Sequence, residues 1–165
     1  MTMNIQSKIA PLTQYYALYQ QLVERMGILH TVVSLIARGY LANVFFSAGL
    51  TKIQDWDTTL FLFQEEYQVP FLPAEIAAFL GTAGELIFPV LLIIGFTSRF
   101  SALALSVVNI VAVISLSEIA AAALYLHVIW GVLLAYIVLH GSGVISIDAW
   151  LKRAVQKQSE EKTGN

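Results

Sequence analysis

Residues 32–53, VVSLIARGYLANVFFSAGLTKI, form the stretch that most constrains the fold of this chain. They are long and apolar enough to cross a bilayer core, which takes about 20 residues as a helix. Arg38 nevertheless lies within the first half of the stretch, and Lys52 lies at its far end. A charged side chain in hydrocarbon costs several kcal/mol or more. It is therefore retained only where it has a partner or faces a water-filled pocket. The fold must therefore supply a partner for Arg38.

The composition assigns the whole chain to the membrane class. Of its 165 residues 58% are hydrophobic and 12% are charged, whereas a soluble domain has about 25% charged residues. The net charge of −2 argues against a nucleic-acid partner. The chain has no cysteine, which excludes disulfides, thiolate metal sites and iron–sulfur clusters held by its own side chains.

Four apolar segments of spanning length predict an all-α integral membrane protein, a bundle of four transmembrane helices. The predicted spans are residues 32–53, 74–97, 99–117 and 121–140. Residues 1–31 and 141–165 lie outside them, and each contains a stretch with apolar residues on one helical stripe. We predict amphipathic surface helices at both ends of the chain.

The distribution of the basic residues predicts the orientation of these spans in the membrane. The basic residues cluster before the first span, in the turn between the second and third, and after the fourth. These residues are Lys8, Arg25, Arg99, Lys152, Arg153, Lys157 and Lys162. The opposite connections are acidic apart from Lys52 at the boundary. The positive-inside rule then predicts two cytoplasmic termini in a bacterial inner membrane, with the loop 54–73 facing outward.

Several polar side chains fall at mid-depth when each span is counted at about 1.5 Å per residue. They are Asn43, Glu85, Asn109 and Trp130. Arg38 lies within side-chain reach of that level, so Glu85 is predicted to pair with Arg38, with Arg99, or with both. Two interpretations stay open: a polar pocket that binds a ligand or relays protons, and a buried ion pair that fixes helix register. Together with Lys52, these residues are the candidates for a ligand pocket.

The histidines argue against a haem held by this chain alone. His127 and His140 are about 20 Å apart along one helix, so they cannot share one haem or metal ion. His127 with Glu118 is a weak metal candidate, since a histidine at a helix end is usually an interface residue. We expect no haem and no iron–sulfur cluster.

Two segments, ARGYLANVFFSAGLTKI and GTAGELIFPVLLIIGFTSRFSAL, resemble the DoxX family of small bacterial inner-membrane proteins. The resemblance covers about residues 32–140 and rests on an arginine in the first span, the SAGLTKI end, a glutamate in the second span and the GFTSR turn. The residues that match the family's polar signature are Arg38, Gly49, Lys52, Glu85 and Arg99.

The resemblance implies a four-helix membrane subunit. Relatives are similar to the quinone-linked subunit of a thiosulfate oxidoreductase, and others accompany superoxide-detoxifying and sulfur-transfer enzymes or the maturation of copper-binding peptides. We therefore expect a non-catalytic inner-membrane subunit that anchors or serves a partner redox or maturation system and binds a quinone in the charged pocket. One alternative is a small-solute or metal-related transporter or exporter that uses the same pocket. Another is a complete oxidoreductase, although the chain has no evident set of redox ligands. We expect protein partners in each case, and a second copy of this chain is one such partner.

Overall fold

A computed structural model describes the backbone of residues 5–163 and the side chains of residues 15–20, 23 and 26–162. Within that range the chain forms six helices. They are α1 (Ile5–Gln54), α2 (Trp56–Glu65), α3 (Ala74–Ile94), α4 (Ser98–Ser115), α5 (Ala121–His140) and α6 (Ile147–Thr163). Four segments are long and apolar enough to cross a membrane: Met26–Gln54, Ala74–Ile94, Ser98–Ser115 and Ala121–His140. The predicted all-α bundle with four spans is confirmed.

The first helix is longer than its apolar stretch. The expected division near residue 31 is not a break, because α1 runs continuously from Ile5 to Gln54. Its 50 residues correspond to about 75 Å of helix, while a bilayer with its headgroups is about 40–45 Å thick. The N-terminal part of α1 therefore extends beyond the membrane as a continuation of the span rather than as a separate helix.

The four spans pack in a ring in which α1 contacts α3, α3 contacts α4, α4 contacts α5, and α5 returns to α1. Their shared core is aliphatic. Leu41, Leu92, Leu105, Leu134 and Ile137 are fully buried there. The opposite faces of the helices expose large apolar side chains, which is the pattern of a bundle whose outer surface meets lipid tails rather than water.

The turn between α3 and α4 is held by hydrogen bonds to Asp148, a residue of α6. Gly95 ends α3 with a left-handed φ of 72°, and its carbonyl accepts a hydrogen bond from the Asp148 N–H at 2.9 Å. The Asp148 carboxylate in turn accepts from the N–H groups of Thr97 and Ser98, at 2.8 and 2.9 Å. Asp148 thus caps the N-terminus of α4 from the first turn of α6, where free N–H groups favour a carboxylate.

Replacing Gly95 by alanine should destabilise the protein by at least about 2 kcal/mol, because the left-handed conformation is strained with a Cβ. A Cβ there would also lie 2.5 Å from Cβ of Ser146 and 2.8 Å from Nη2 of Arg38. Thermal unfolding in detergent measures the change.

The matched control is Gly27→Ala. Gly27 lies within α1 and has open space around it, so alanine there should be neutral or stabilise the helix by about 1 kcal/mol. Equal melting temperatures for the two variants would show that the turn at Gly95 does not constrain the bundle.

Candidate functional site

A cavity of about 540 Å³ lies inside the bundle near the C-terminal end of α1. Its walls come from α1, α3, α4 and α5, and the segment from Phe63 to Leu72 covers one side. Most of the lining is aliphatic or aromatic. Its polar side chains are Lys52, Tyr67, Glu85, Ser115, His127 and Trp130.

An ion pair forms the charged part of this cavity. Nζ of Lys52 donates to Oε2 of Glu85 at 2.5 Å, and the two side chains are 23% and 10% exposed. The expectation that Glu85 pairs with Arg38 or Arg99 is wrong, because its partner is Lys52. Glu85 lies about 16 Å along α3 from Ala74, whereas Lys52 is in the last turn of α1. Along the axis of the bundle, the C-terminus of α1 therefore stops short of the level at which α3 begins.

Gly49 allows the two helices to approach at this point. A Cβ on Gly49 would lie 2.9 Å from Cγ and Cδ2 of Leu86 and 3.1 Å from Cβ of Glu85. Small residues permit this kind of close helix contact within a membrane. Gly49 therefore sets the distance over which the Lys52 ammonium reaches the Glu85 carboxylate.

Arg38 lies outside the cavity and binds backbone carbonyl groups. Its Nε donates to Leu92 O at 2.9 Å and its Nη2 to Ile93 O at 2.5 Å. Its Nη1 donates to the carbonyls of Ser142 and Ile145, both at 2.9 Å. The first two acceptors lie in the last turn of α3, where the carbonyls carry partial negative charge, and Leu92 O also accepts from the Gly95 N–H at 3.1 Å. The guanidinium is thus partnered without a carboxylate, although it is only 2% exposed.

Two other candidates also fall outside the cavity lining. Asn43 is on an exposed face of α1. Arg99 lies at the far end of the bundle, where Nη2 donates to Leu139 O at 3.3 Å. Of the ligand-pocket candidates from the sequence, the cavity brings together Lys52, Glu85 and Trp130, and its lining also includes His127, the weak metal candidate.

Asn109 acts on the cavity through His127. Its Nδ2 donates to the His127 carbonyl at 2.9 Å, and its Oδ1 lies 2.8 Å from Nδ1 of His127. Because the amide nitrogen faces a carbonyl, the atom beside the ring is the amide oxygen, an acceptor. Nδ1 therefore carries the hydrogen, and in the neutral ring Nε2 is left as an acceptor.

Trp130 forms the aromatic side of the cavity. Its ring lies edge-on to His127 with centroids 4.8 Å apart, and to Phe45 with centroids 6.0 Å apart. Its Nε1 donates to the hydroxyl of Tyr40 at 3.1 Å. The indole N–H is thus occupied, and the ring supplies an apolar surface held in a fixed orientation.

Tyr67 is a cavity residue that the sequence did not reveal. It follows α2 and is held by an isolated antiparallel bridge to Leu116, next to a hydrogen bond from Gln68 N to Ser115 O at 2.8 Å. Burial, and then the nearby Glu66 and Glu85 carboxylates, raise the pKa of the Tyr67 phenol above its usual value. Tyr67 therefore stays protonated and is a hydrogen-bond donor. No local pattern in the sequence indicates which helices this segment would cover.

The histidines show a second feature that the sequence did not reveal. His30 and His140 come together at the opposite end of the bundle, with ring centroids 5.9 Å apart, and Nδ1 of His30 lies 2.6 Å from the hydroxyl of Tyr136. Within the described part of the chain, no group of three or more His, Cys, Asp or Glu residues is placed to hold a metal ion.

Comparison with known proteins shows the family of this chain. The sequence model of the DoxX family matches residues 33–118. The chain belongs to the DoxX family. The match includes Arg38, Lys52 and Glu85, and it ends before α5, which contributes His127 and Trp130.

A relative in Haemophilus influenzae is 34% identical over 142 residues, which cover 81% of this chain and 92% of the relative. That protein is described only as uncharacterized. No solved structure matches the chain.

A double-mutant cycle tests the ion pair of this DoxX protein. Glu85→Gln and Lys52→Met should each destabilise it, because each leaves a partly buried charge without its partner. The double variant should lose less than the sum, with a coupling energy of about 1–3 kcal/mol in thermal unfolding.

Glu85→Gln combined with Arg38→Met is the matched cycle, and its effects should add, because Arg38 has other partners. Coupling in the Arg38 cycle with additivity in the Lys52 cycle would contradict the geometry.

Proposed function

We propose that this DoxX-family protein is a membrane subunit that binds a lipid-soluble, partly polar ligand of the quinone class. In this proposal it serves a partner redox or maturation system. The observation that carries the proposal is the cavity at the end of α1, with apolar walls and the Lys52–Glu85 pair inside it. Its 540 Å³ lies within the range of about 300–1,000 Å³ typical of small-molecule sites.

The polar side chains of the cavity match both oxidation states of a quinone. A quinone carbonyl needs a donor, and the Lys52 ammonium and the Tyr67 hydroxyl are donors. A quinol hydroxyl needs an acceptor, and the Glu85 carboxylate and Nε2 of His127 are acceptors. The isoprenoid tail of such a ligand would lie along the aliphatic side chains of α1 and α4.

In this proposal the residues of the chain bind the ligand and hold the protons that it exchanges. Glu85 and His127 hold or release a proton beside the ligand, and Asn109 fixes which ring nitrogen of His127 takes part. The chain has no cysteine, so a thiolate-held electron donor would belong to a partner protein. The exposed tyrosines of the α1 extension, among them Tyr15 at 72% and Tyr16 at 64%, are a surface on which such a partner can dock.

The packing beyond the cavity favours a binding site over a transport pathway. Leu41, Leu92 and Leu105 are fully buried between the cavity and the Arg38 end, and Arg38 is engaged by four carbonyls. A transporter would have to open this packed half in each cycle. Solute movement in liposomes that contain this chain alone would favour the transport alternative.

Ligand binding is tested by thermal unfolding of the purified protein during titration with a short-chain ubiquinone. A ligand at 100 times its dissociation constant adds about 2.7 kcal/mol to the folded state, so the melting temperature should rise with concentration. Ala112→Phe places a ring in the cavity and should abolish the rise. Ile110→Phe is the matched control, because Ile110 is 57% exposed on the outer surface of α4.

A melting temperature of the wild-type protein that stays constant across the titration would contradict quinone binding. An equal rise in the wild-type protein and in Ala112→Phe would place the ligand elsewhere on the molecule.

For localisation we propose a bacterial inner membrane with both termini in the cytoplasm, on the support of the distribution of basic residues. The cavity then lies toward the outer face. Because the chain has no cysteine, the variants Glu66→Cys and Gln158→Cys each carry a single thiol. An impermeant maleimide should label Glu66→Cys in intact cells and should label Gln158→Cys after lysis. The reverse pattern would invert the orientation.

A further inference from the structure

Arg99 belongs to a second concave surface, an open groove of about 850 Å³ at the opposite end of the bundle. The start of α4, the end of α5, the loop 141–146 and the first turns of α6 form its walls. Its basic side chains are Arg99, His140, Lys152 and Arg153. One carboxylate, that of Asp148, also lines it.

The positive charge of Arg99, Lys152 and Arg153 in this groove is only partly offset by the one carboxylate that lines it. Asp148 is engaged by α4, since it accepts from the N–H groups of Thr97 and Ser98 and from Oγ of Ser98 at 2.7 Å. In the described residues, neither Arg99 nor Lys152 forms an ion pair. Their remaining donors are open to an external anion.

The position of the groove indicates the kind of anion. Arg99 is the second residue of the α4 span and His140 is the last residue of the α5 span, so the groove lies at the boundary of the membrane. Exposed apolar side chains flank it, with Phe100 at 62%, Leu139 at 71% and Val144 at 62% exposure. A phosphate group above and acyl chains below would satisfy both parts of this surface.

We propose that this groove binds the headgroup of an anionic phospholipid. The phosphodiester accepts from Arg99 and Lys152, and the acyl chains follow the exposed face of α4 beside Phe100. Basic pockets between transmembrane helices are suited to such headgroups, and arginine donates to phosphate oxygens in a bidentate manner. The site is separate from the cavity that contains Lys52 and Glu85, and the proposal does not depend on the ligand of that cavity.

Native mass spectrometry of the detergent-purified full chain tests this site by titration with phosphatidylglycerol and with phosphatidylcholine of the same acyl chains. The wild-type protein should retain phosphatidylglycerol more strongly. Each basic residue removed from the groove should weaken that retention by about fivefold. The double variant Arg99→Gln/Lys152→Gln should therefore bind the two lipids almost equally.

The control is Lys157→Gln/Lys162→Gln, which removes the same charge from exposed positions of α6 outside the groove. It should keep the preference of the wild-type protein. Equal losses in the two double variants would mean general charge attraction and would overturn the site, as would a wild-type protein without preference. Displacement of phosphatidylglycerol by millimolar inorganic phosphate would also overturn it, because the site would then take a free anion.

The single variant Lys152→Gln tests the site even if the double variant does not fold. Lys152 makes no hydrogen bond within the described structure, so its removal should leave the melting temperature unchanged. It should still lower phosphatidylglycerol retention by about fivefold. An unchanged retention in this folded variant would contradict the proposal.

Discussion

The guanidinium of Arg38 is the interaction on which one half of this bundle depends. It donates to two carbonyls at the end of α3 and to two in the loop that leads into α6. Hydrogen bonds to a charged group contribute about 1.5–3 kcal/mol each, and an unpartnered arginine at this depth would strongly disfavour the fold. The buried charge therefore joins three segments that are distant in sequence.

The joined segments are further linked by Asp148. Its N–H donates to Gly95 and its carboxylate caps α4, so the position of α6 and the turn between α3 and α4 depend on each other. The same end of the molecule carries the basic groove. The opposite end is looser, because α1 stops short of the level at which α3 begins and leaves room for a cavity. The Lys52–Glu85 pair lies in that space. One end of the bundle is thus closed by hydrogen bonds, and the other holds a cavity.

The hydropathy of the sequence was enough to predict the class and the number of spans, because the bilayer imposes a fixed length of apolar helix. The sequence predicted a segment boundary near residue 31, and α1 runs through it, because no proline interrupts the helix there and the Thr31 hydroxyl donates to Gly27 O within the helix. The partner of Arg38 was not predictable, since every residue has a carbonyl and the sequence does not mark those that a side chain can reach. The partner of Glu85 was mispredicted because residue counting placed the end of α1 and the start of α3 at the same depth in the membrane. The contact between Lys52 and Glu85 requires these two ends to lie at different depths. Asp148 lies 50 residues after Ser98, at the start of the helix that it caps, and no local pattern indicates such a pairing.

Amide hydrogen exchange in the variant Arg38→Lys, in lipid nanodiscs, tests most directly whether Arg38 holds this end of the bundle together. Lysine keeps the charge but cannot donate to four separated carbonyls from one planar group. The amides of Asp148 and Trp150, which donate to Gly95 O and Ser146 O, should exchange at least about tenfold faster than in the wild-type protein, since bonds worth more than about 1.4 kcal/mol are lost. The amide of Leu105, in the buried core of α4, should keep its protection. Unchanged exchange at Asp148 and Trp150 would show that Arg38 does not hold this end of the bundle together.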